Sequence, residues 1–205
     1  MRFGVKPTPG ASLSDAGAKF RRLSGGRGVR EASGTGAGAG RWLGMAIFFT
    51  SDTHFGDHRT INIWKRPFAG VAEMDALLIA RWNDAVGPED EVWHLGDFAR
   101  KAGDVAGLLE RLHGRKHLIS GNNDPPETLA AEGWASVGAY AELELEGRAL
   151  VLCHYPFRSW NRMHKGAVNL HGHSHGRLKP MPRQVDVGVD VWDFVPVELG
   201  ALLGR

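Results

Sequence analysis

Five short polar motifs, each set directly behind an apolar run, limit what this chain can fold into more than any other feature. Asp52-Thr53-His54 follows the run 46–50, Gly96-Asp97 follows 91–95, and Gly121-Asn122 follows 116–120. His154 follows 149–153, and Gly172-His173-Ser174-His175 follows 168–170. A short apolar run bounded by turn residues reads as a buried strand. Polar motifs at the carboxyl ends of such strands converge on one rim of an open α/β sheet.

The residue types name a chemistry. Imidazole, carboxylate and amide groups without a thiolate cluster suit hard-to-borderline divalent ions such as Mn, Fe or Zn. Asp52, His54, Asp97, Asn122, His154, His173 and His175 are too many ligands for one tetrahedral ion. They suit two adjacent ions, an arrangement that serves phosphate-ester hydrolysis. Taken singly, each motif has a plainer reading as turn chemistry or a core histidine. The strongest alone is Gly172-His173-Ser174-His175, because alternate residues on an extended strand share a face.

The remaining pattern places these motifs in an α/β chain. Met74, Leu77, Leu78, Trp82 and Ala85 recur at helical spacing over 73–86, with Gly87-Pro88 as a stop. Val105, Leu108, Leu109 and Leu112 form a second stripe closed by Gly114. Asp124-Pro125-Pro126-Glu127 predicts a capped helix to about residue 132, ended by Gly133. A hairpin over 140–154 turns at Glu146-Gly147, strands are expected at 168–170 and 185–191, and 196–203 closes the chain as helix or strand. Strands alternating with helices, then a run of strands, indicate α/β layering around stacked sheets.

Composition matters mainly through its unevenness. Residues 1–44 hold eight Lys/Arg, two Asp/Glu and 11 of the 28 glycines, with no apolar periodicity. Such a stretch is expected to be a disordered tail, with Met45 as the true start of a domain over 45–205. A transit peptide or a basic arm touching nucleic acid are the other readings of it. The remaining 17 Lys/Arg and 21 Asp/Glu give the domain a net charge of −4, so a broad nucleic-acid-binding face is not expected. The single cysteine, Cys153, reads as a buried small hydrophobe and allows no intrachain disulfide. No run approaches the roughly 18 apolar residues of a membrane span, which leaves the cytoplasm as the expected location.

Taken together, the ordered motifs resemble the calcineurin-like metallophosphoesterase superfamily, whose order is D-x-H, G-D, G-N-H-D/E, H, G-H-x-H. The match spans about residues 46–195. The strings Thr50-Ser51-Asp52-Thr53-His54-Phe55-Gly56, Cys153-His154-Tyr155-Pro156 and Leu170-His171-Gly172-His173-Ser174-His175-Gly176 resemble a compact bacterial and phage-type subgroup. The resemblance implies two stacked mixed β-sheets flanked by helices, an αββα sandwich. It implies two divalent ions, one on Asp52, His54, Asp97 and His175, the other on Asp97, Asn122, His154 and His173. Asp97 would bridge them, since a carboxylate has two oxygens to share. A water between the ions would lose its proton near neutral pH and attack phosphorus in line.

Two positions depart from the pattern. Asn123 stands where the superfamily usually has a histidine; it can hydrogen-bond a phosphate oxygen but cannot act as a general acid. Asp124 would then simply cap the following helix. Arg100 stands where many relatives carry an acidic residue, and nothing in the sequence accounts for it. His58 is a candidate proton source, with a solvated loop histidine as the plainer reading; His164 is a weaker candidate. Arg66, Arg158 and Lys165 are candidate phosphate contacts, with ordinary surface cations as the alternative. His94, His113, His117 and His171 read as structural, and the tryptophans as core or rim packing. The expected function is hydrolysis of a small-molecule or nucleotide phosphate ester, with phosphodiesters or activated esters favoured by the missing acid. A metal-binding scaffold without catalysis and a nucleic-acid-processing phosphodiesterase are the competing readings.

Overall fold

The computed structural model describes residues 45–100 and 103–204, together with the backbone of Arg21–Arg22. The expectation of a disordered tail over 1–44 lies outside the described residues, save that Arg21–Arg22 forms a two-residue strand, β1. Along the chain follow β2 (Ile47–Thr50), α1 (Arg59–Trp64), α2 (Val71–Ala85), β3 (Glu91–His94), α3 (Val105–Arg111) and β4 (Arg115–Ile119). Then come α4 (Pro126–Ala130), β5 (Trp134–Gly138), β6 (Ala141–Leu145), β7 (Arg148–Leu152) and β8 (Val168–His171). The chain closes with β9 (Gln184–Asp186), β10 (Val197–Glu198) and α5 (Leu199–Leu203).

Two mixed five-stranded sheets stack on each other, in the orders β10-β2-β3-β4-β5 and β1-β6-β7-β8-β9. In the first, β2 to β5 run parallel and β10 is antiparallel. In the second, the β6–β7 hairpin is antiparallel, while β7, β8 and β9 are parallel. Period-two alternation builds the layers. Ile47, Phe49, Trp93 and Ile119 meet Leu143, Leu150, Leu152 and Leu170 of the other sheet in one cluster. Phe48, Val92 and Leu118 point the opposite way, onto Met74, Leu78 and Trp82 of α2 and Leu108 and Leu109 of α3. Strands buried on both faces explain why the runs before the motifs are short and nearly continuous rather than alternating. No described helix is long and apolar enough to cross a membrane.

Parallel order is what positions the site. The segments after β2, β3 and β4 leave one sheet at the same edge, and those after β7 and β8 leave the other likewise. A bridge between Ser51 and Gly188 and a backbone bond from Val189 N to Ser51 O (3.0 Å) tie the two exits together.

Several expectations shift. The 185–191 strand ends at Asp186, whose Oδ1 accepts the Gly188 N–H at 2.8 Å, an Asx turn that sends Val189–Val191 into a 3₁₀ turn. The helix expected from Asp124 starts at Pro126 with Pro125 as its cap, because the Asp124 carboxylate is engaged elsewhere. The closing segment is both strand and helix. Helix α1 and the edge strand β5 were not expected from sequence. The middle residues of β5, Ala135, Ser136 and Val137, are exposed, so no apolar run marks it.

Candidate metal centre

The motif residues occupy strained backbone. Asp52, His54, Asp97, His173 and His175 have φ of 59°, 53°, 57°, 67° and 47°, in the left-handed region. Each such non-glycine residue costs roughly 1–2 kcal/mol, so the surroundings must enforce it. They do so by lacing the loops together: Asp52 N donates to Gly96 O, His54 N to Asp97 O and Phe55 N to Phe98 O, all at 2.9 Å. Close approach explains two of the motif glycines. A Cβ on Gly96 (φ +94°) would lie 2.6 Å from His154 Nδ1, and one on Gly172 would lie 2.5 Å from Asp52 Oδ2.

Ligand-type atoms of Asp52, His54 and His175 lie within 4.8 Å of one another, as do those of Asp52, Asp97 and His154. The two oxygens of Asp97 face different histidines. Oδ2 is 3.5 Å from His54 Nε2, and Oδ1 is 3.6 Å from His154 Nε2. His175 Nε2 stands 3.7 Å from Asp52 Oδ1. His154 donates Nδ1–H to Leu95 O at 2.8 Å in the tautomer that leaves Nε2 a lone pair. That lone pair faces a second acceptor, Asn122 Oδ1, at 3.1 Å.

The donor set fits divalent cations. Both ring nitrogens of His54 are buried without a hydrogen-bond partner, which is costly unless something else takes a lone pair. Burial, chiefly, pushes the His54 imidazole down to about 4, keeping it in the neutral, ligating form. Burial first, then the charges of Asp97 and Asp186, raises the Asp52 carboxyl well above its ordinary range. A cation beside two crowded carboxylates and two mutually facing acceptors relieves all of these costs.

A second layer of carboxylates holds the first. His175 Nδ1 bonds Asp190 Oδ2 at 2.6 Å, which aims Nε2 at Asp52. Burial opposes ionisation of Asp190, but the bonds from His175 and Arg66 outweigh it and hold its carboxyl at about 2. Asp124 accepts the backbone N–H groups of Asp97 (2.8 Å), Phe98 (2.7 Å) and Gly121 (2.8 Å), pinning two motif loops together. It is therefore a loop clasp, not the helix cap expected from sequence. The Trp64 ring stacks on His175 at 3.6 Å, with the Arg177 guanidinium 4.3 Å from the Trp64 centroid.

The family model of the calcineurin-like phosphoesterase superfamily domain matches residues 45–192. The chain belongs to that superfamily. The Gene 66 protein of Mycobacterium phage D29 is 32% identical over 186 residues, covering 74% of this chain and 92% of the phage protein. The protein MJ1445 of Methanocaldococcus jannaschii is 32% identical over 167 residues, covering 77% of this chain and 89% of the other. In fold, the chain is similar to the protein AQ665 from Aquifex aeolicus, with a TM-score of 0.62 and 23% identity over 77% of this chain and 97% of that one. As a calcineurin-like phosphoesterase, the chain is a metal-dependent phosphoric ester hydrolase that uses divalent ions.

The phosphoesterase cleft is lined by His54, Asp57, Arg59, Thr60, Ile63, Trp64, Asp97, Arg100, Asn122, Asn123, His173 and His175. Asp52 and His154 are fully buried behind it. Other residues singled out from sequence fall elsewhere. His58 is exposed at the start of α1 and does not line the cleft. Arg158 and Lys165 are exposed on the segment between β7 and β8, also outside the lining. Arg66, considered as a phosphate contact, is buried beneath the site. Its guanidinium bonds Asp190 Oδ1 (2.8 Å) and Oδ2 (2.7 Å), Thr53 O (3.0 Å) and Asp52 O (2.6 Å), which leaves it no face for substrate. Sequence reasoning missed Asp190. The signal was there, in acidic residues on the polar side of the alternating valines at 185–191.

Proposed function

We propose that this phosphoesterase is dinuclear and hydrolyses phosphodiesters or activated phosphate esters of small molecules or nucleotides. The observation that carries the reading is the orientation of Asp97, one oxygen toward His54 and the other toward His154. Asp52, His54, Asp97 and His175 would hold one ion, and Asp97, Asn122, His154 and His173 the other, with Mn, Fe or Zn suited to such ligands. Bound there, the pair supplies an activated water and offsets charge on the phosphoryl oxygens.

The protein's own residues do the rest. Asp190 and Leu95 O fix the tautomers of His175 and His154, so each presents Nε2 inward. Asn123 donates from its backbone N to Asp97 Oδ1 and from Nδ2 to Oδ2, both at 2.7 Å, and so holds the carboxylate in its two-sided pose. An amide in that place gives no proton to a leaving group. General acid catalysis is typically worth about 10²–10⁴-fold, so a site without it favours leaving groups that depart as stable anions. The cleft, about 270 Å³, takes an ester group and the adjoining part of its alcohol.

Metal analysis and turnover test this together. Native protein should carry about two ions per chain and prefer an aryl phosphodiester over its monoester. Asp97→Ala should lose both metal and turnover, the latter by at least about 10³-fold. One ion per chain in fully active protein would overturn the dinuclear reading, and a strong monoester preference would overturn the substrate class.

A further inference from the structure

Three arginines lie in or under the cleft, and their charges are treated differently. Arg66 is neutralised by Asp190, and Arg59 is paired with Asp57. Arg100 is exposed and lines the cleft, and among the described residues its hydrogen bond is to a neutral group, Asn123 Oδ1 at 3.0 Å. Asn123 in turn donates to Asp97 Oδ2 at 2.7 Å, so a continuous chain runs Arg100–Asn123–Asp97. A carbonyl acceptor orients a guanidinium without cancelling its charge. The remaining N–H groups of Arg100 are thus held beside the metal ligands with their positive charge available to an anion.

We propose that Arg100 is the residue that grips the non-bridging oxygens of the substrate phosphate, and that Asn123 is its positioning residue. The inference rests on the phosphoesterase reading above and deepens it by naming what binds the anion. The planar fork of Arg matches two phosphate oxygens at once, and charge-assisted bonds of this kind are the strong ones. The two positions that depart from the superfamily's pattern then act as one unit, with charge and orientation rather than proton donation as its contribution.

The test is binding of inorganic phosphate to metal-loaded protein by calorimetry, with metal content measured on each sample. Arg100→Gln should keep the ions and weaken phosphate binding by about 10- to 100-fold, the scale of a charge-assisted hydrogen bond. Arg100→Lys should restore part of that loss, since it returns the charge without the fork. Asn123→Ala also removes the Nδ2 bond to Asp97, so it is compared at matched metal content; there it should weaken phosphate binding in the native background yet add little in the Arg100→Gln background. Native protein that binds metal and hydrolyses esters, alongside an Arg100→Gln variant with unchanged phosphate affinity, overturns this inference and leaves the phosphoesterase reading standing. Additive losses in the double variant overturn the positioning role of Asn123. Native protein that takes up no metal overturns the reading underneath and the inference with it.

Discussion

Beneath the cleft, Arg66 is fully buried and bonded to a carboxylate and two backbone carbonyls; at its mouth, Arg100 is exposed and bonded to a neutral amide. Arg66 reaches the metal-type ligands through Asp190 and His175, and Arg100 reaches them through Asn123 and Asp97, yet of the two only Arg66 is met by a carboxylate among the described residues. A buried charge left unpaired is expensive, so the floor of the site must be electrostatically closed. An exposed charge carries no such penalty, so the mouth can keep a cation for a ligand. Burial therefore separates architecture from recognition here more cleanly than residue type does.

The floor should be the costlier place to break. Arg66→Gln leaves Asp190 with one partner fewer and uncovers the carbonyls of Asp52 and Thr53; loss of one member of a buried ion pair typically costs about 3–5 kcal/mol. Chemical denaturation of metal-free protein should show that loss. Metal affinity should also drop by about 10- to 100-fold, because His175 is oriented through Asp190. If Arg66 were instead a phosphate contact, as its sequence position suggested, the variant would keep its stability and raise only KM.

That contrast also marks how far the sequence could be read. The five motifs were legible because each follows its own strand directly, and parallel strands deliver their ends to one edge. The same logic made the two stacked sheets legible. The clamp between Arg66 and Asp190 joins residues 124 positions apart, and no local pattern announces it. Asp124 was misread for a related reason: next to Pro125 it has good helix-capping chemistry, but three loop N–H groups compete for the carboxylate and win. Helix α1 has six residues, three of them exposed or charged, too few for a periodic stripe. Arg100 and Asn123 were noticed as departures, and only their contact in space gives them a joint role.

A second way to sharpen the comparison uses pH on the floor. Burial lowers His54 from 6.5 to about 4, so between those values the unfolded chain binds a proton there that the folded chain does not. Stability from this group is therefore complete above pH 6.5 and is lost as pH falls toward 4. The loss amounts to about 3 kcal/mol at the low end. Measured on protein stripped of metal, as the difference between native and His54→Gln, the curve should be flat above pH 6.5 and fall below it. A difference independent of pH from 4 to 7 would mean that the buried imidazole does not stay neutral.

The smallest effect belongs to the mouth. Arg59 pairs with Asp57, whose carboxylate is buried, but the Arg59 side chain itself is 39% exposed, so water screens its half of the pair. Asp57 also accepts the Arg59 backbone N–H at 3.1 Å, a bond that survives truncation of the side chain. Arg59→Gln should therefore lower the denaturation midpoint by less than Arg66→Gln does and leave metal content unchanged. Because Arg59 already has a carboxylate partner, phosphate affinity should change far less than in Arg100→Gln, although both residues line the same cleft. Equal losses from the two variants would mean that a paired arginine serves an anion as well as an unpaired one. The distinction drawn between the cations at the mouth would then fail, while the difference between mouth and floor would remain.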